Sequence, residues 1–268
     1  MTEPLFVHLY GERVGLLTDA GGGKIAFSYT PEWHAKWTRG RAHPISLSLP
    51  VSAPDRVLDA TAYVAGLLPD STHHRDLLAA ELGIADDPTD FAFIRKVGED
   101  SAGALTIVTD PDWRPVPGRQ EAVWLSESEL AEHLRLLPRR PLLLDEENGI
   151  MLSLAGVNDK AAVLWENGRA GLPRTGTPST HIIKVDIPGL PDSVKTEHFC
   201  LRLAAAVGLR VPRTRLITVE DQQFMLMARY DRVITADGDI QRIHQEDFCQ
   251  ALNVMPAHKY ERFGGPGW

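Results

Sequence analysis

The sequence predicts an α+β fold, and three observations carry that prediction. Apolar residues alternate with a period of two from Phe6 to about Val51, helical spacing takes over between about Ala60 and Leu137, and strand-like pieces return beyond residue 138 around a single clear helix. This is the pattern of a small antiparallel sheet with helices, then a second antiparallel sheet with one main helix, then the start of a helical region.

Each element has a local signal. Gly11-Glu12 and the run Gly21 to Gly23 are turns between the strands "FVHLYGERVGLL", "KIAFSY" and "ISLSLP". In "ATAYVAGLLPDSTHHRDLLAAELGI" apolar residues keep helical spacing on both sides of Pro69, which should stop one helix, with Asp70 or Ser71 capping the next and Gly83 ending it. "DPTDFAFIRKVG" reads as a short helix, "GALTIVT" as a strand, and "ESELAEHLRLLP" as a helix capped by Ser126 with Glu129 three residues later. Arg139, Arg140 and Pro141 break the periodicity and set a boundary between Pro138 and Asp145. Strand-like pieces then centre on Leu152, Val163, Ile183, Ile217 and Met225. The helix among them, "TEHFCLRLAAAVGL", takes Thr196 as N-cap and Gly208 as stop. The units are read as 1–138, 139–232 and 233–268.

Composition excludes several classes. With 268 residues, 43% hydrophobic and 24% charged, the chain is an ordinary globular sequence with material for a sizeable core. No apolar run approaches a membrane span, and "MTEPLFVHLYGERVG" lacks the layout of a signal peptide, so the expected location is the cytoplasm. A net charge of -8 argues against the broad basic face that DNA binding needs, so any contact with DNA should come through a basic partner. Cys200 and Cys249 sit in apolar helical patterns and are expected as buried free thiols rather than a disulfide or metal site. His73 and His74 are adjacent, point to different helix faces and have no carboxylate at a useful spacing, so they are expected in solvent. The six tryptophans are dispersed, and neither a Gly-x-Ser-x-Gly elbow nor a Walker lysine is present.

The second half carries the chemistry. A phosphate-binding turn needs converging backbone N–H groups and usually a lysine. "SLAGVNDK", residues 153–160, has both, although Gly-Val-Asn-Asp is equally good as a plain hairpin tip. Lys184 ends the strand "THIIKVD", and Glu197 follows thirteen residues later at the start of the helix. A glycine-turn hairpin, a strand with lysine, a helix with glutamate and two more strands make the order of a kinase N-lobe. The plain alternative is a lysine snorkelling at a strand end and a glutamate favouring the helix dipole. After "QFMLMARYDR" the chain should cross to a second lobe, with Ala228, Arg229 and Tyr230 near an adenine position. Asp231 is free there to take a ribose hydroxyl or to pair with Arg232.

These residues resemble the HipA serine/threonine kinases, toxins of bacterial toxin-antitoxin systems. The resemblance rests on "SLSLP" (46–50), "LLPDS" (67–71), "GEDSAGAL" (98–105), "SLAGVNDK" (153–160), "PSTHIIK" (178–184), "EHFCLRLAAAVGL" (197–209), "ARYDR" (228–232), "HQEDFCQ" (244–250) and "KYERFGGPG" (259–267), in family order over nearly the whole chain. It implies that Ala155, Gly156, Val157 and Asn158 form the ATP-phosphate loop, that Lys184 contacts the phosphates, and that Ser153 is the site of autophosphorylation that switches the kinase off. It also implies ATP and Mg as cofactors, an aminoacyl-tRNA synthetase, foremost glutamyl-tRNA synthetase, as substrate, and a DNA-binding HipB-like antitoxin as partner.

A kinase also needs a base-positioning aspartate followed by an asparagine, and a metal-binding aspartate. "HQEDFCQALN" is a decoy. His244 to Asp247 is three residues where the loop wants two, Asp247 to Asn253 is six where it wants five, and Cys249 stands where Asp-Phe-Gly wants glycine. The segment reads instead as the first C-lobe helix, with Glu246 and Asp247 at its N-terminus. The expectation is therefore a HipA-type N-terminal subdomain and N-lobe without catalytic or metal-binding carboxylates, inactive by itself. The competing reading is a non-catalytic module that engages the antitoxin or a separately encoded kinase piece.

Overall fold

The computed structural model describes residues 2–52, 56–115, 121–139 and 159–267. The architecture is α+β, with two antiparallel sheets sharing one core. In the first sheet β1 (Leu5–Leu9) pairs with β2 (Glu12–Gly21) across Tyr10 and Gly11, whose φ values of 53° and 79° make the paired left-handed turn that matches strand twist. The strand β3 (Lys24–Tyr29) follows through the glycine run, and Thr30 caps α1 (Pro31–Trp37) behind it. A short β4 (Leu58–Asp59) and β5 (Leu105–Val108) complete the order β4-β3-β2-β1-β5. Leu5, Val7, Leu9, Leu17, Ile25, Phe27 and Tyr29 are buried. The helices α2 (Thr61–Ala65), α3 (Thr72–Glu81) and α4 (Asp90–Val97) carry the matching apolar residues, among them Tyr63, Leu78, Phe91 and Ile94.

The second sheet has the order β10-β11-β9-β7-β8-β6. Its members are β6 (Ala122–Trp124), β7 (Lys160–Glu166), β8 (Arg169–Pro173), β9 (His181–Lys184), β10 (Thr214–Val219) and β11 (Gln222–Ala228). The helices α5 (Glu127–Leu136) and α6 (Ser193–Ala206) both pack on β10 and β11. Residues before Pro138 are thus divided between the two sheets. A two-stranded ribbon, β12 (Arg232–Ile234) with β13 (Ile240–Arg242), and the short α7 (Phe248–Leu252) follow, with 3-10 turns at Pro256–His258 and Glu261–Phe263. Among the described residues no helix is long and apolar enough to cross a membrane.

Most expected caps are present. Ser71 accepts from the His74 N–H, Ser126 and Glu129 form the reciprocal capping box, and Gly83 and Gly208 take left-handed φ values of 65° and 90° past their helices. Asp247 caps α7 in a box with Gln250. Three expectations need correction. The helix α6 starts at Ser193 rather than at Thr196, because Asp186 reaches over and accepts from the backbone N–H groups of Asp192 and Val194 at 2.9 Å each. "SLSLP" is a loop, not a strand: the Tyr29 hydroxyl donates to the Leu49 carbonyl and accepts from the Ile45 N–H, and the outer rim binds the C-terminal segment through Leu47 N–H to Glu246 and Ser46 Oγ to the Gln250 carbonyl. Cys200 and Cys249 are free thiols, yet Cys200 is exposed and Cys249 half-buried, since α6 fully buries only Val194. The strand piece expected around Leu152 lies outside the described residues.

One buried charge network joins the two halves. Asp100, in the turn after α4, accepts from Arg232 at 2.9 Å and from Arg242 at 3.2 Å on one oxygen, and from Ser179 N–H and Oγ at 3.1 and 2.7 Å on the other. Arg229 lies 3.5 Å away and donates through Nε and Nη2 to Asp231 at 2.9 and 2.7 Å. Asp231 also accepts from Arg232 and from the Gly103 N–H, both at 2.8 Å. Burial alone would raise the Asp100 pKa, but Arg232, Arg242 and Arg229 overcome it and hold the carboxyl well below its usual range. Burial, with Arg229 beside it, brings Arg232 down to about 10. Breaking one member of such a set leaves charges stranded in the interior. Asp100→Asn is expected to destabilise the fold by about 3–5 kcal/mol, read as a lower denaturant midpoint at neutral pH. Because the native carboxyl is depressed, its stabilising effect is complete above the unfolded value of about 3.9 and disappears only as pH falls through the native one, so the gap between variant and parent should close in acid.

Candidate phosphate-binding site

The strand register builds the site. The antiparallel pairing of β7 with β9 sets Lys160 directly opposite Lys184, and directly opposed residues share one face of a sheet. The helix α6 brings Glu197 against Lys184, whose Nζ donates to Oε1 at 2.6 Å. The expected Lys184–Glu197 pair is therefore formed, across an interval that strand and helix geometry close. Lys160 is the more buried of the two lysines at 7% exposed. Its pKa is brought down to about 8, first by burial and then by the Lys184 ammonium.

The first half of the chain also enters the site, which sequence reasoning did not foresee. His74, expected in solvent, is buried, and its Nε2 donates to the Asp159 carboxylate at 2.7 Å. The carboxylate missing from the local sequence pattern comes from a residue eighty-five positions away. Asp70 of the "LLPDS" stretch pairs with Lys259 of "KYERFGGPG" at 2.8 Å. A polar residue placed before a helix beside a family motif was the available signal, but it reads equally well as a cap. Lys160 itself was legible only as the last letter of "SLAGVNDK".

Other expected positions divide. Ser153, Ala155, Gly156, Val157 and Asn158 lie outside the described residues. Tyr230 is 66% exposed just past β11. Arg229 and Asp231, expected beside adenine and ribose, sit within the Asp100 network with side chains 2% and 4% exposed. Of the two roles open to Asp231, ion pairing with Arg232 is the one formed, and the partner that draws these side chains inward, Asp100, lies more than a hundred residues upstream. A separate cavity of about 470 Å³, lined by Tyr10, Glu99, Trp113, Pro178 and Arg242 among others, has neither lysine of the pair in its wall.

Two lysines stand side by side at the foot of the sheet, and of the two only Lys184 is hydrogen-bonded to Glu197 among the described residues. Lys184 is held by Glu197 and only partly covered, at 17% side-chain exposure. Such a pair suits a polyanion, and a phosphate chain suits it best, because it can accept from both ammonium groups at once. Among the described residues no group of three or more His, Cys, Asp or Glu is placed to hold a metal ion.

Comparison with known proteins agrees with this architecture. Residues 5–108 match the model of the HipA N-terminal domain, and residues 152–267 match that of the HipA-like C-terminal domain. The chain is 38% identical to the protein Y4mE of Sinorhizobium fredii, over 96% of this chain and 60% of that one. It is 28% identical to the serine/threonine-protein kinase toxin HipA of Shewanella oneidensis, over 99% of this chain and 59% of the relative. A solved structure of Shewanella oneidensis HipA with HipB and operator DNA superposes with a TM-score of 0.76 at 26% identity, covering 98% of this chain and 59% of that one. The chain thus spans about three fifths of the length of these relatives. With both domain models matched in order and the fold shared, this chain belongs to the HipA family.

Proposed function

We propose that this chain is the regulatory and nucleotide-binding portion of a HipA-like serine/threonine kinase of a toxin-antitoxin system. The observation that carries the reading is the cross-strand pair Lys160–Lys184 with Glu197 on the latter. In this reading Lys184, oriented by Glu197, contacts the phosphates of ATP, and Lys160 neutralises a second phosphate oxygen. Ala155, Gly156, Val157 and Asn158 supply backbone N–H groups to the same chain of phosphates. ATP supplies the phosphoryl group that the kinase transfers. Mg would accompany the ATP phosphates, and no residue of this chain is assigned to it. Ser153 is the proposed autophosphorylation site, since a dianionic phosphate at the entry to the turn would repel the phosphates of ATP.

The HipB and operator DNA in the Shewanella oneidensis structure support a HipB-like antitoxin as the partner, with DNA reached through it. The net charge of -8 suits a basic partner. We propose an aminoacyl-tRNA synthetase, foremost glutamyl-tRNA synthetase, as the protein substrate of the complete kinase, acting in the cytoplasm.

Calorimetric titration of ATP into the chain tests the reading. Saturable binding is expected, weakened about tenfold or more in Lys184→Ala, which removes a charge-assisted contact of about 1.5–3 kcal/mol. No binding by a cooperatively folded chain would count against it. The pH dependence has a definite sign. Lys160 contributes its charge while protonated, so affinity for ATP should hold at neutral pH and fall as pH rises through about 8. The same titration repeated at several pH values between neutral and strongly alkaline reads this directly, and Lys160→Met should remove the alkaline fall.

A further inference from the structure

Among the described residues three carboxylates act on the Lys160 ammonium: Asp70, Glu197 and Asp159. Each is already held by another donor. Glu197 accepts from Lys184 at 2.6 Å, Asp70 from Lys259 at 2.8 Å and Asp159 from His74 at 2.7 Å. Lys160, 7% exposed, is left without a hydrogen bond among the described residues. A buried ammonium whose described carboxylate neighbours are all taken is an uncommon arrangement, since the ordinary solution is to pair it.

The carboxylate most easily released is that of Asp159. It precedes Lys160 in the chain, is 4% exposed, and has His74 as its hydrogen-bond partner among the described residues. The other two are held by full ammonium charges, Lys184 and Lys259. His74 comes from the first turn of α3 in the other half of the molecule, where its backbone N–H donates to the Ser71 hydroxyl. The histidine therefore does for Asp159 what would otherwise fall to Lys160.

We propose that His74 is a positioning residue of the phosphate site: by occupying the Asp159 carboxylate it keeps the Lys160 ammonium free of a counter-ion and available to an anionic group of the bound nucleotide. The inference rests on the reading of the lysine pair as a phosphate cradle. It makes the first half of the chain part of the nucleotide site, through a side chain that touches no nucleotide. In its absence Asp159 would turn to Lys160, and the lysine would be lost to the site while the fold persists.

The test is a double-mutant cycle on the intact chain, measured by calorimetry with ATP and with adenosine, which has no phosphate. His74→Ala should weaken ATP about tenfold and leave adenosine unchanged, and His74→Gln, which retains a donor, should bind as the parent does. The decisive variant is the double one. Removing the freed carboxylate as well, in His74→Ala with Asp159→Asn, should restore ATP affinity to within about threefold of the parent. A double variant as weak as His74→Ala, or an equal loss for ATP and adenosine, would overturn the proposal in favour of a merely structural role. If the parent binds neither ligand, the phosphate reading fails by itself, and a ligand-free measurement still decides the pairing. In chain labelled with ¹³C-lysine, the titration midpoint of Lys160 should rise in His74→Ala and return in the double variant, and an unmoved midpoint would refute the role given to His74.

Discussion

The carboxylate of Asp100 is the constraint on which the rest of the molecule depends. It stands in a turn of the first half and receives guanidinium groups from two segments of the second, together with the backbone N–H and hydroxyl of Ser179. Ser179 leads into β9 and Arg229 leaves β11, and these strands are hydrogen-bonded neighbours with His181 opposite Ala228. Asp100 thus grips both chains at the end where the strand pair is open. Three arginines share Asp100 and Asp231, and the Nε of Arg232 has no partner among the described residues. An arrangement so dependent on all its members is a poor source of net stability but a strict specifier of geometry, because no shifted register satisfies it.

The lysines lie at the opposite end of the same strands. His181 begins β9 and Lys184 ends it, and β7 runs beside it from Val163 back to Lys160. A slip of one residue in either strand would send one lysine through to the apolar face where Ala161 and Ile183 lie in the core. The clamp around Asp100 at one end therefore decides whether two ammonium groups meet at the other. This also accounts for the burial of Arg229 and Asp231: they hold the frame.

Much of this was legible in the sequence wherever the signal was local. The capping box of Ser126 and Glu129 and the Gly83 and Gly208 stops follow from spacing, the first hairpin turn falls one residue before the expected Gly11-Glu12, and of the two readings open for Lys184 and Glu197 the paired one is formed. What was missed shares one physical cause: the partner comes from far along the chain. Asp186 caps α6 from outside the helix, Asp159 gives His74 a reason to be buried, and Asp100 draws Arg229 and Asp231 away from the surface. Cys200 failed in the other direction. Its neighbours are apolar, but α6 meets the sheet along one narrow line, and a local pattern cannot say how much of a helix is covered.

The burial of Lys160 breaks the rule that the rest of the fold obeys. Its strand is central, flanked by β8 and β9, and Ala161, Ala162, Val163 and Leu164 beyond it are all buried. A methionine or leucine at the first position would satisfy the strand without any electrostatic cost. Two ordinary remedies were open for an ammonium there, pairing with a carboxylate or loss of the proton, and neither is adopted among the described residues. The three nearby carboxylates are engaged by His74, Lys184 and Lys259, and a pKa of about 8 leaves the group charged at neutral pH. Among the described residues the ammonium is therefore left without a hydrogen-bonded counter-ion, by contacts from α3, α6 and the C-terminal segment together. Local rules are broken at a cost to stability where the broken rule serves a ligand, and the remedy this site leaves open is an anion from outside.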